Sequence, residues 1–79
     1  MNRPNYILAS SGEGLHLEYF QTREEAEKEM MQQLMNVTGL TSEEIKNYPD
    51  DREVSYTPGY SHCYDNKTYI SYEWLIEQI

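Results

Sequence analysis

The sequence predicts a small α+β domain in which an antiparallel β-sheet carries one main α-helix on a face. Three observations point there. An alternating apolar run lies near the N-terminus, a strongly capped helical stripe fills the middle, and a tyrosine-rich alternating stretch follows it. Seventy-nine residues suit a single compact domain over 1–79. The one cysteine, Cys63, can close no intrachain bridge, so packing alone must hold the core.

The expected order is β-β-α-α-β-β with a short C-terminal helical turn. Tyr6-Ile7-Leu8-Ala9 and Leu15-His16-Leu17-Glu18-Tyr19 flank Ser10-Ser11-Gly12-Glu13-Gly14, a segment of turn formers. Leu15, Leu17 and Tyr19 alternate with His16 and Glu18, the period of a strand with one wet face, so the pair reads as a β-hairpin.

The main helix has the clearest boundaries. Thr22-Arg23-Glu24-Glu25 has the form of a capping box, and Glu24 and Glu25 also sit at the positive end of the helix dipole. Ala26, Met30, Leu34 and Val37 share one face, which Met31 and Met35 widen. Gly39 ends the helix because it accepts positive φ, and Leu40 can fold back on Met35. A second capping box, Thr41-Ser42-Glu43-Glu44, opens a short helix with Leu40 and Ile45 as its hydrophobic staple. Pro49 stops it near Tyr48.

Beyond the Pro49-Asp50-Asp51 turn, Val54, Tyr56, Tyr60, His62 and Tyr64 share one parity across Pro58-Gly59, which reads as a bend or bulge. Asp65-Asn66 reads as a tight turn into Thr68–Tyr72. The last residues fit two periods. Ile70, Tyr72, Trp74 and Ile76 alternate like a strand, while Tyr72, Ile76 and Ile79 are spaced like a helix. A strand giving way to a helical turn reconciles them.

Six basic residues against fourteen acidic ones leave a net charge of −8. That surface repels nucleic acid, so direct nucleic-acid binding is not expected. Eight tyrosines, one tryptophan and one phenylalanine argue against the disorder that acidity alone can signal. No stretch approaches the ~20 apolar residues of a membrane span. The Met1-Asn2-Arg3-Pro4-Asn5 start lacks the apolar run of a signal peptide, and the expected location is cytoplasmic.

No constellation announces a reaction. His62 and Cys63 are neighbours, and on a strand their side chains would point to opposite faces. Cys63 also lacks the basic setting that activates a thiol. His16, His62, Cys63 and Asp65 are metal-ligand types without a metal-ligand spacing, and Asp50-Asp51-Arg52-Glu53 lacks the glycine and alternation of a calcium loop. Gly12-Glu13-Gly14 lacks the lysine of a phosphate cradle. No catalytic residue, cofactor or metal is therefore assigned, and a binding protein is favoured over an enzyme.

Two surfaces remain as candidate partner contacts. Nine of the fourteen acids fall between residues 24 and 53, with only Lys28, Lys46 and Arg52 as bases in that window. Glu24, Glu27, Glu43, Glu44, Asp50, Asp51 and Glu53 thus form an acidic platform for a basic protein surface, such as the groove of a nucleic-acid-binding protein. The expected function is inhibition of such a partner by imitating nucleic acid. Small size, acidity and the absence of catalytic apparatus are attributes of phage and mobile-element inhibitors, including DNA mimics, anti-restriction and anti-CRISPR proteins. That likeness is one of type, with no residue-level match. The second surface is the tyrosine series, with Tyr56, Tyr60 and Tyr64 at its centre. In that alternative the chain is an accessory interaction module and its acidity serves only solubility. Unpaired strand edges would also permit a homodimer.

Overall fold

A computed structural model describes residues 3–79. Five strands and two helices follow in the order β1 Tyr6–Ser11, β2 His16–Phe20, α1 Arg23–Thr38, α2 Ser42–Lys46, β3 Val54–Thr57, β4 Tyr60–Asp65 and β5 Ile70–Gln78. The strands make one antiparallel sheet in the spatial order β2-β1-β5-β4-β3. The first and last strands of the chain are therefore neighbours near the middle. Among the described residues, no helix is long and apolar enough to cross a membrane.

Both capping boxes form. Thr22 Oγ1 accepts from the Glu25 amide at 3.2 Å, and Glu25 accepts from the Thr22 amide at 3.1 Å. Thr41 and Glu44 repeat the exchange at 3.2 and 3.0 Å. Gly39 takes φ 74° and donates to Met35 O at 2.8 Å, ending α1 as its sequence predicts.

α1 lies across one face of the sheet and seals the core. Ala26, Met30 and Leu34 pack with Leu8 of β1, Cys63 of β4, and Trp74 and Ile76 of β5. Ile45 of α2 and Val54 of β3 complete the buried set, while Met31, Met35, Val37 and Leu40 close its edges. A polar link fixes how α1 sits. The Trp74 indole donates to Gln33 Oε1 at 2.9 Å, and Gln33 Nε2 donates to Glu18 at 2.8 Å and to Glu29 at 2.9 Å. An indole N–H enclosed under a helix needs such an acceptor.

Four expectations are corrected. Ile70–Gln78 is one continuous strand, so the element order ends in a third C-terminal strand and contains no helical turn. Pairing on both sides decides this, because β5 bonds to β1 along one edge and β4 along the other. Pro58-Gly59 is the two-residue turn of a β3–β4 hairpin. Gly59 has φ 101°, a left-handed backbone conformation that favours glycine. The following hairpin loop spans four residues, 66–69, so β5 begins at Ile70 and not at Thr68. The fourth concerns β2, where Leu17 and Tyr19 face away from the helix and only Phe20 of its apolar residues packs on the core. Glu18 and His16 lie on the α1 side, opposite Leu8 and Ser10, and Leu17 and Tyr19 lie on the other.

Among the described residues, Ser61 is the one buried polar side chain, fully enclosed and with its Oγ unpartnered. Ser61→Ala is therefore expected to change stability by anything from nothing to a gain of about 1 kcal/mol, since it removes an unmet polar group. Leu34→Ala, on the buried face of α1, should instead lose about 2–5 kcal/mol. Thr22→Ala should fall between, losing about 0.5–2 kcal/mol. Glu27→Ala removes only an exposed ion pair to Arg23 and should lose about 0.3–0.5 kcal/mol. Urea denaturation of the four variants checks the ranking.

Candidate functional site

One helix covers one face of a five-stranded sheet, which leaves the other face open. The strand registers determine what that face displays. Leu17 stands opposite Ala9, Ala9 opposite Leu75, Leu75 opposite Tyr60, and Tyr60 opposite Thr57. These residues make one row crossing all five strands. A parallel row sets Tyr19 beside Ile7 and Ile7 beside Glu77. Another sets Ser11, Glu73, His62 and Ser55 in line, and Tyr64 lies opposite Ser71.

The large members of this face are substantially exposed: Leu17 49%, Tyr19 56%, Tyr60 40%, Tyr64 38% and Leu75 41%. Leu15, beside the start of β2, is 74% exposed. Tyr60 and His62 rings lie 6.2 Å apart and stiffen one end of the row. Glu73 and Glu77 flank Leu75 along β5, giving the apolar row an acidic border. Scattered exposed apolar residues are ordinary, whereas these are continuous across the sheet.

The predicted tyrosine group is divided by the hairpin turn. Tyr60 and Tyr64 are on the open face, whereas Tyr56 is on the helix side, half-buried against the core. Burial, and then the charge of Glu27, raises the Tyr56 phenol above its usual range. Tyr72, also on the helix side, stacks on Trp74 at 6.0 Å and donates to Glu13 at 3.2 Å.

The predicted acids sit on the helices and the loop after them, and most carry out local tasks. Glu27 pairs with Arg23 at 3.1 Å. Glu44 closes the α2 cap, and the Thr41 amide holds its carboxyl below the usual range. Asp50 accepts from the Arg52 amide at 3.0 Å, which lowers it likewise. Glu53 accepts from the Tyr48 hydroxyl at 3.0 Å and thereby raises the Tyr48 phenol. Glu24, Glu43 and Asp51 are exposed, and their carboxylates make no hydrogen bond within the described residues. Glu24 and Glu27 border a groove between α1, α2 and β3 that also holds Lys28 and Lys46, so its charge is mixed.

The strand geometry separates His62 from Cys63. His62 lies on the open face, while Cys63 is 2% exposed in the core. Burial, helped by the charge of Asp65, pushes the Cys63 thiol up to about 11. Among the described residues, no three His, Cys, Asp or Glu side chains gather as a metal-binding group.

Leu17, Tyr19, Ala9 and Leu75 are the surface residues that sequence reasoning missed. The available signal was one of supply, since a single main helix cannot cover two apolar faces of a sheet. The chain matches no protein-family model, no curated protein and no solved structure.

Cys63 should react negligibly with a thiol reagent at pH 8 in the folded protein and rapidly in urea. Both the closed packing and the raised pKa withhold the thiolate. Rapid labelling of the folded chain would show that this part of the core opens readily.

Proposed function

We propose that this protein is a small protein-binding module without a reaction of its own. It docks through the open face of its sheet onto a basic partner surface with an apolar centre, and acts in the cytoplasm. The observation that carries this is the exposed row Leu17–Ala9–Leu75–Tyr60. Rigid strands hold these side chains in fixed order, so docking costs little conformational entropy. Tyr60 and Tyr64 add flat area with hydrogen-bonding tips, as interface centres commonly do. Glu73 and Glu77 beside Leu75, together with the net charge of −8, favour a partner whose apolar anchor is flanked by Lys or Arg.

A second reading places the contact on the acidic helical side. Glu24, Glu43 and Asp51, exposed beside Glu44, Asp50 and Glu53, would imitate phosphate charge and inhibit a nucleic-acid-binding protein. The hydrogen bonds held by Glu44 and Glu53 orient those carboxylates but leave their charge in place, whereas Glu27 and Asp50 are paired with Arg23 and Arg52.

Affinity capture on the immobilised chain, with quantified titration of the captured partner, separates the two. Leu75→Asp or Tyr60→Ser should weaken binding at least about tenfold, a loss of about 1.4 kcal/mol. Combined Glu43→Gln and Asp51→Asn should leave most of the affinity intact and chiefly reduce its salt dependence. The reverse pattern, together with displacement of the partner by duplex DNA or RNA, supports the acidic contact and sinks the sheet-face proposal.

A further inference from the structure

β2 is one end strand of the sheet, and its outer backbone edge meets no other strand. The direction of its peptide groups follows from the register. The Ile76 amide donates to Gly59 O at 2.8 Å, so even-numbered residues of β5 bond toward β4 and odd-numbered ones toward β1. Leu75 stands opposite Ala9, so odd-numbered residues of β1 face β5 and even-numbered ones face β2. Leu8 stands opposite Glu18, so the even-numbered residues of β2 bond to β1. The N–H and C=O groups of Leu17 and Tyr19 therefore point outward, ready to pair.

The opposite edge, β3, is short, lies against α2 and ends at Pro58. β2 has no proline and no lysine, the usual edge protections. Its one charge is Glu18, which would oppose pairing unless an approaching strand met it with a donor.

We infer that β2 pairs with β2 of a second copy, antiparallel, about a two-fold axis passing through Leu17. In that register Leu17 faces Leu17, and Leu15 faces Tyr19 of the second copy, all on the open side. On the helix side, His16 of each copy faces Glu18 of the other and can donate an imidazole N–H to it. Gln33 binds one oxygen of Glu18, and the carboxylate retains further acceptor capacity. Moving the axis to Glu18 would set that carboxylate against itself and take His16 away from it, leaving His16 across from Phe20. Self-complementarity thus selects one register.

The paired sheets would join their open faces into one surface. The row Tyr60–Leu75–Ala9–Leu17 would continue through Leu17 of the second copy and run outward again in reverse order. Leu17 belongs to both the edge and the face, so the two readings are told apart by Leu75 and Tyr60, which lie away from the edge and are not changed in the tests of this inference.

Sedimentation equilibrium and light scattering on the full chain, from low micromolar to submillimolar, test it. The mass should rise from 9.4 kDa toward twice that value. Added salt should strengthen association, because each copy carries −8 and screening removes repulsion but not apolar contact. Leu17→Pro should hold the protein monomeric while sparing the β1 ladder, since the Leu17 amide faces outward. Should that variant fail to fold, as read by Trp74 fluorescence, Leu17→Lys serves instead by placing two ammonium groups at the axis. Leu17→Cys should cross-link through a disulfide under mild oxidation, because facing residues in such a pair have Cα atoms about 5.5 Å apart. Cys63 is buried and does not compete. A monomer mass at every concentration and salt level, a dimer indifferent to changes at Leu17, or cross-linking of Glu18→Cys in preference to Leu17→Cys would each overturn the inference.

Discussion

The pairing of β1 with β5 is the constraint on which the other elements depend. β2 reaches the sheet only through β1, and β4 and β3 only through β5. The same two strands supply Leu8, Trp74 and Ile76, the floor on which Ala26, Met30 and Leu34 rest. Tyr6 stands opposite Gln78, so this contact closes a loop comprising almost the whole chain. Loop-closure entropy grows only with the logarithm of length, and the helix packing that follows repays it. The Trp74–Gln33 bond then fixes the helix over the central strands, and Glu18 and Glu29 hold Gln33 from both sides.

A two-layer arrangement with one main helix divides the sheet into a covered face and an open one. The molecule is thin, with extents of 43 × 26 × 16 Å, and no second layer protects the far side. Leu17, Tyr19, Tyr60, Tyr64 and Leu75 remain there at the expense of solvation. The acidic residues have a double character. Several cap helices or turns, while together they give the surface one common sign of charge.

Local chemistry was legible in the sequence, and facing was not. Thr22 with Glu25, Thr41 with Glu44, and Gly39 act within a few residues of themselves, so their motifs reported the helix ends directly. The stripe Ala26, Met30 and Leu34 was legible because a single helix buries only one side. Strand parity misled at β2, since alternation reports two faces without saying which one meets the core. Leu17 and Tyr19 alternate with Glu18 and Phe20, and it is Phe20 against the core and Glu18 with Gln33 that take the helix side. The run from Val54 to Tyr64 misled for another reason. Residues on either side of Pro58-Gly59 keep the same number parity, but the turn reverses the chain and sets Tyr56 and Tyr60 on opposite faces. The C-terminal segment carried both periods at once, and only its two neighbouring strands resolve it. The open-face row was the least legible feature, because it exists only through the registers of five strands.

The central position of β5 has a consequence for the order of events during synthesis. β1, β2 and both helices emerge before the strand that completes their sheet. Until residues 70–78 arrive, β1 offers a bare edge to any passing strand, and α1 lacks the tryptophan it will lie on. At roughly 5–20 residues per second of translation, that exposure lasts seconds. Through this interval the growing chain has helices with strong local caps but no sheet to organise them. The twelve carboxylates that precede residue 70 would keep neighbouring chains on a polysome apart while that strand is made.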